Sequence, residues 1–210
     1  MKHIKDMREF LSALSDIGEL QEIDLEVERD LEIGAIIRRA YDLRAPAPLF
    51  NNIKGVARGF RVLGGSAGVS AQKGLYLSRI AISLGFPAGA CAKEIVNTLS
   101  DSMAKEGIPP RVLGTGVCQE NVLTGDGIDL MKLQAPLLHM GDGGRYINTW
   151  GTVVVKTPDG KWTNWGIARV MLLDKNRMSG LIPPQQHLGI IHKMWSDSGE
   201  PTPFALALGC

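Results

Sequence analysis

Apolar residues recur at helical spacing in four stretches of the first hundred residues, and strand-like runs separate them. In Asp6–Ile17 the positions are Met7, Phe10, Leu11 and Leu14, and Gly18 stops the helix. A second helix runs from a cap at Asp30 to Arg44, with Leu31, Ile33, Ile36, Ile37 and Tyr41 turned inward. Ala45-Pro46-Ala47-Pro48 breaks it. Ser70–Leu84 and Ala90–Lys105 complete the set, and Leu20–Leu25, Pro48–Ile53 and Phe60–Leu63 read as strands. Glu106–Arg111 carries a Pro-Pro pair and no period, which places a domain boundary there. Beyond it the pattern turns to β. Val112–Gln119 and Asp129–Leu133 come first, then two long runs, Tyr146–Lys156 and Lys161–Leu173, flanking the turn Thr157-Pro158-Asp159-Gly160. A second reversal falls at Asp174-Lys175-Asn176-Arg177. Met178–Ile182, a proline pair, an amphipathic helix through Trp195 and an apolar run Pro203–Gly209 follow. The expected fold class is α+β, with an α/β domain over residues 1–111 and an incomplete β-rich domain over 112–210.

Composition narrows this picture. The chain has 210 residues, 44% of them hydrophobic, with a formal net charge of +1. That is ample for a core, and it gives no concentrated basic face for nucleic acid or an acidic membrane. No run approaches a membrane span, and the start MKHIKDMREF reads as a charged helix rather than a signal peptide. Cys91, Cys118 and Cys210 form no close pair, which fits a reducing, cytoplasmic setting without disulfides or zinc. The run ending at Cys210 reads as a strand entering a sheet, as expected of a piece of something longer or of an edge covered by another chain.

Polar residues interrupt the apolar runs at Thr149, Asn164 and Arg169, and Gln186 and His187 follow the second proline pair. Taken alone, Asn164 reads as a structural amide and His187 as a packing or surface histidine. Together their oxygen and nitrogen make a fairly hard ligand pair, which with a carboxylate would suit Mn²⁺ or Mg²⁺ better than zinc. Two candidates are too few to define a metal site. Arg169 lies in an apolar run two residues from Ile167, and a guanidinium buried there requires a carboxylate or phosphate, which favours an anion site. Gly64-Gly65-Ser66-Ala67-Gly68 follows a strand and is the better of two phosphate-loop patterns, but the pattern is loose and favours a tight α/β turn over a phosphate site. Trp162, Trp165 and Tyr146 read as core, and His139, His192 and Cys118 as unremarkable. No nucleophile elbow or metalloprotease helix is present. On these residues alone the reading stops at an anion site, with or without a metal.

The ordered runs Trp162-Thr163-Asn164-Trp165-Gly166-Ile167-Ala168-Arg169, Asp174-Lys175-Asn176-Arg177 and Ile182-Pro183-Pro184-Gln185-Gln186-His187, followed by Ile191-His192-Lys193-Met194-Trp195, resemble the UbiD family of prenylated-FMN-dependent decarboxylases. The resemblance is dense over Gly141–Trp195 and weaker toward both ends. It implies an N-terminal α/β domain followed by an FMN-binding, split-barrel-like β domain. It implies that Asn164 and His187 ligate Mn²⁺, with or without K⁺, and that this metal ties down the flavin phosphate. Ile167, Ala168 and Arg169 would run along the prenylated FMN, with Thr149 and Gln186 lining it. Arg169 would also be the catalytic arginine that holds the substrate carboxylate.

The implied reaction is reversible, non-oxidative decarboxylation of an aromatic or α,β-unsaturated acid, of hydroxybenzoate type by the Gly141–Thr149 stretch, with cinnamate-type and heteroaromatic acids as close competitors. A flavin prenyltransferase would supply the cofactor, and a homo-oligomer or a completing subunit would be the partner. The family's third metal ligand, a glutamate, and its proton donor are expected beyond residue 210. The alternative is a non-catalytic flavin-phosphate-binding or assembly module completed by another subunit.

Overall fold

In the computed structural model, which describes residues 3–209, each helix foreseen from the apolar spacing is present, with changed limits. α1 (Met7–Asp16) begins where the Asp6 carboxylate accepts the Glu9 amide at 2.9 Å, and it buries Phe10, Leu11 and Leu14. α2 (Glu32–Leu43) starts later than expected, because Asp30 does not cap it. The Asp30 carboxylate instead accepts two bonds from the Arg145 guanidinium, at 2.8 and 2.7 Å. Leu31 and Tyr41 are exposed, so the inward face narrows to Ile33 with Ile36 and Ile37 beside it. α3 (Ser78–Ser83) is far shorter than the run from Ser70. The Ser70 hydroxyl donates to Glu19 at 2.5 Å, and this long-range bond displaces the helix. α4 (Ala92–Met103) is close to its expected limits. Strands β1 (Leu20–Ile23), β2 (Ala47–Phe50) and β3 (Val62–Leu63) lie side by side in that order.

The chain divides into two compact units that interleave in sequence. One takes the residues up to Gln21, Arg39–Pro48 and Leu63–Asp129; the other takes Glu22–Arg38, Leu49–Val62 and the described residues from Leu130 onward. In the first unit, Phe10 and Leu14 of α1 pack with Ala47 and Ile82, each large side chain contributing about 1.5–3 kcal/mol. Beside them Arg79, 3% exposed, donates to Glu19 at 2.9 Å, to the Gly65 carbonyl at 2.9 Å and to the Ala45 carbonyl. The glycine loop at 64–68 is therefore a tight turn that grips a buried arginine. Every residue from 101 to 127 is exposed. Val112–Gln119 and Asp129–Leu133 are not strands: only short 3-10 turns form, at Val117–Gln119 and Leu130–Lys132. The β-branched residues of the first run have no sheet to pack on, and propensity alone does not hold a strand.

In the second unit the two long β runs each break in the middle. The first becomes β4 (Tyr146–Asn148) and β5 (Thr152–Lys156), and the second becomes β6 (Thr163–Gly166) and β7 (Val170–Leu172). With β8 (Met178–Gly180) and β9 (Phe204–Ala207) they build two antiparallel sheets, ordered β4-β7-β8 and β6-β5-β9. Both runs thus change sheet at their breaks, residues 149–151 and 167–169. Among the described residues these sheets do not close into a barrel. The turn between β5 and β6 is closed by a Gly160 amide bond to the Thr157 carbonyl at 2.9 Å, and Gly160 supplies the required φ of +73°. Opposed residues share a face, so Val153, Val155, Asn164, Phe204 and Leu206 point the same way. Ile191 of α5 (His187–Asp197) packs with Val153 and Val155 on that face. No helix among the described residues is long and apolar enough to cross a membrane.

Candidate active site

Asn164 sits in the middle of β6 with 9% of its surface exposed, on the face that α5 covers. A strand amide turned inward needs a partner, and His187 at the start of α5 supplies one: its Nδ1 lies 3.1 Å from the Asn164 Oδ1. The Pro183-Pro184 pair sets where that helix begins. The Gln186 amide donates to the Pro183 carbonyl at 3.1 Å, and a Cβ on Gly189 would stand 2.3 Å from that same oxygen, so only glycine permits the approach. The Trp162 and His187 rings meet in a T-shaped contact, with centroids 5.0 Å apart. At the far end of α5 the Trp195 indole donates to the Lys156 carbonyl at 2.7 Å. The helix is thus fastened to the β5–β6 hairpin at both ends, and His187 is held over Asn164.

Two donors at adjacent corners of an octahedral ion with bonds of about 2.1 Å stand about 3 Å apart. The Asn164–His187 separation fits that spacing, and the amide oxygen and imidazole nitrogen are a suitable donor set. Among the described residues no group of three or more His, Cys, Asp or Glu is placed to hold a metal.

Of the remaining expected residues, Thr149, Ile167, Ala168 and Arg169 lie at the two sheet crossings, and Gln186 lies beside His187. Arg169 is not buried in a strand as its apolar surroundings suggested: it lies in the irregular link 167–169, and its side chain is 55% exposed. The burial that argued for an anion partner is therefore absent. The guanidinium rests 4.2 Å from the centre of the Tyr146 ring and 3.6 Å from the Asp142 Oδ1. Asp142 in turn accepts from the His139 amide at 3.3 Å, and its Oδ2 lies 3.2 Å from the His139 ring. Ile167 is exposed, and Ala168 is half-buried with its carbonyl accepting from Asn148 at 2.8 Å. Thr149 is exposed in the β4–β5 link, and Gln186 is exposed at the N-cap of α5. The expected residues thus fall into two clusters, one around Asn164 and His187 and one around Arg169. A cavity of about 360 Å³ is lined by Val153, Val155, Ala168, Leu188 and His192, among others.

The core assignment of the aromatic residues does not hold. Trp165 is 68% exposed, and Trp162 and Tyr146 serve His187 and Arg169 instead. His192 is exposed and meets the Thr202 hydroxyl at 2.9 Å. Asn148 and Asp142 were not singled out from the sequence. For Asn148 the signal existed, since an asparagine inside a strand is as anomalous there as at 164. Cys210 lies outside the described residues.

Residues 11–99 match the 3-octaprenyl-4-hydroxybenzoate carboxy-lyase N-terminal domain, and residues 111–210 match the Rift-related domain of the same enzymes. The chain belongs to the UbiD family. It is 47% identical over 204 residues to pyrrole-2-carboxylic acid decarboxylase of Pseudomonas aeruginosa, covering 97% of this chain and 41% of that protein. It is 40% identical over 210 residues to ferulic acid decarboxylase 1 of Saccharomyces cerevisiae, covering 97% and 42%. Among solved UbiD-class structures, vanillic acid decarboxylase of Sedimentibacter hydroxybenzoicus in its closed form superposes with a TM-score of 0.88 at 27% identity, covering 100% of this chain and 44% of that one. An evolved dimeric form of HmfF from Pelotomaculum thermopropionicum, in complex with prFMN, gives 0.79 at 26% identity, covering 97% and 44%. The chain therefore spans about two fifths of the length of the curated relatives it matches.

Proposed function

We propose that the protein carrying this chain catalyses the reversible, non-oxidative decarboxylation of an aromatic or α,β-unsaturated carboxylic acid, using prenylated FMN and a divalent metal. The observation that carries the reading is the Asn164–His187 pair, whose donors stand 3.1 Å apart. These two would contribute to a Mn²⁺ site that anchors the flavin phosphate, with or without K⁺ nearby. When bound, prenylated FMN supplies an electron sink for the density left on an sp² carbon as CO₂ departs, which side chains alone cannot provide. The chain's own residues do the rest. Arg169 offers an exposed guanidinium whose N–H groups can take a carboxylate, and the Tyr146 ring and Asp142 hold it in one place. Ile167 and Ala168, with Thr149 and Gln186, would border the cofactor.

The hydroxybenzoate-type acid remains the substrate class we propose from the Gly141–Thr149 stretch. The 47% identical pseudomonad relative makes pyrrole-2-carboxylate the first competitor. A homo-oligomer or completing subunit, a flavin prenyltransferase as cofactor source and a cytoplasmic location belong to the same proposal. The test is reconstitution with prenylated FMN and Mn²⁺, followed by CO₂ release from protocatechuate, pyrrole-2-carboxylate and ferulate. Release from one of them is expected. Tight flavin binding with no release from any of the three would favour instead a flavin-phosphate-binding or assembly module.

A further inference from the structure

One short strand touches the Ala168–Arg169 dipeptide at two points. Tyr146, at the start of β4, places its ring 4.2 Å under the Arg169 guanidinium carbon. Asn148, at its end, is fully buried and donates its Nδ2 to the Ala168 carbonyl at 2.8 Å, fixing the peptide plane that leads into Arg169. The strand is built for this rather than for regular pairing. Its register against β7 slips between Tyr146 and Asn148, so it bulges beside the crossing at 167–169. The Asn148 Oδ1 is buried and finds no donor among the described residues. A buried asparagine that leaves half its amide unmatched is costly where only packing is at stake. Gly151 completes the arrangement: a Cβ there would stand 2.3 Å from that oxygen, so only glycine leaves the amide room.

We infer that β4 is the positioning element of Arg169, with Asn148 setting its backbone and Tyr146 its guanidinium. This rests on the reading of Arg169 as the group that holds the substrate carboxylate. Tyr146 acts through the face of its ring, since an arginine stacks on an aromatic face without needing the hydroxyl. Neither residue is asked to touch the reacting atoms. An arginine free to swing would still meet the substrate, but seldom in the reactive orientation, and a small misplacement costs on the order of 100-fold in rate.

The test compares Asn148→Leu, which keeps the branched shape and the number of heavy atoms and removes the donor, with Tyr146→Leu and Tyr146→Phe. In the flavin-free protein, amide hydrogen exchange over Ile167–Leu172 should speed up about tenfold or more in Asn148→Leu, with β5, β6 and β9 unchanged. After reconstitution, flavin absorbance per protein should stay within about twofold of wild type. The ratio kcat/KM should fall about 10–100-fold in Asn148→Leu and about tenfold in Tyr146→Leu, and Tyr146→Phe should keep it. Unchanged exchange together with unchanged kcat/KM in Asn148→Leu overturns the inference. Equal losses in Tyr146→Phe and Tyr146→Leu overturn the part assigned to the ring. Should Asn148→Leu not fold, Asn148→Ala removes the same donor without adding bulk. A wild-type protein that releases no CO₂ sinks the decarboxylase reading, and the exchange result still decides whether β4 orders 167–172.

Discussion

Asn164 and His187 make the sharpest predictions available at the scale of single residues. Each is the other's partner at 3.1 Å, so either alanine substitution dismantles the pair. Asn164→Ala and His187→Ala should each lower metal and flavin occupancy together, read by elemental analysis and flavin absorbance. Full cofactor in both variants would remove the metal assignment. Arg169→Ala should behave differently, because its exposed side chain stands in the other cluster: the flavin stays and turnover is lost. Away from the site, the bidentate Asp30–Arg145 pair offers a pH test. The Arg145 side-chain bonds hold the Asp30 carboxyl below its ordinary value. A depressed carboxyl stabilises the fold above its unfolded pKa and loses that contribution as pH falls through the folded one. Asp30→Asn should therefore cost up to about 1 kcal/mol near neutral pH, since the pair is partly exposed. The gap between variant and wild type should close in acid below the ordinary carboxylate range, as followed by urea melts across pH.

At the scale of elements, α5 and the β5–β6 hairpin behave as one body. Trp195 at one end of the helix and His187 at the other both bond to the hairpin, and Gly189 lets the proline pair press against the first turn. Gly189→Ala would meet backbone rather than a movable side chain. It should cost about 1–3 kcal/mol and, by shifting the helix start, weaken Mn²⁺ binding as well. Thermal melts and metal titration of the one variant check both effects, and a stable variant with unchanged metal affinity would separate the helix start from the site. The two sheet crossings are where the hairpin gives up its own ladder. Thr149 lies at one and Ile167, Ala168 and Arg169 lie at the other, so the residues we propose to border the cofactor occupy positions that regular pairing does not use.

For the molecule as a whole, stability and domain limits are the measurable questions. Arg79 and Glu19 are 3% and 1% exposed, and Ser70 and Gln72 add hydrogen bonds to the same carboxylate. Arg79→Met should lose about 3–5 kcal/mol because Glu19 is left buried and unpaired, whereas Arg79→Met with Glu19→Leu should recover much of it. Denaturant melts of the single and double variants decide this, and equal losses in both would mean the charge was not the cause. We also propose a domain boundary near Arg111. The exposed stretch 101–127 makes the matching prediction that brief trypsin treatment cuts first after Lys105 or Arg111. First cuts elsewhere would move the boundary.

The amino-acid pattern by itself determined that helices form near their observed places, that a hairpin turns at Thr157–Gly160 and that Asn164 is anomalous, because each depends on neighbours within a few residues or on residue type. That Asn164 and His187 act as a pair came from the family resemblance. Asp6 and Gly18 bound α1 by local capping, and Asn164 stood out because a strand disfavours it. Tertiary structure alone decided the rest. Ser70 left its helix for a carboxylate 51 positions earlier, and Asp30 left its cap for an arginine 115 positions later. Two long apolar runs split because opposite halves of each belong to different sheets. Arg169 proved exposed, and Asn148 turned out to hold the carbonyl beside it. Such outcomes turn on which distant donor or face is within reach, and periodicity along the chain carries no record of that.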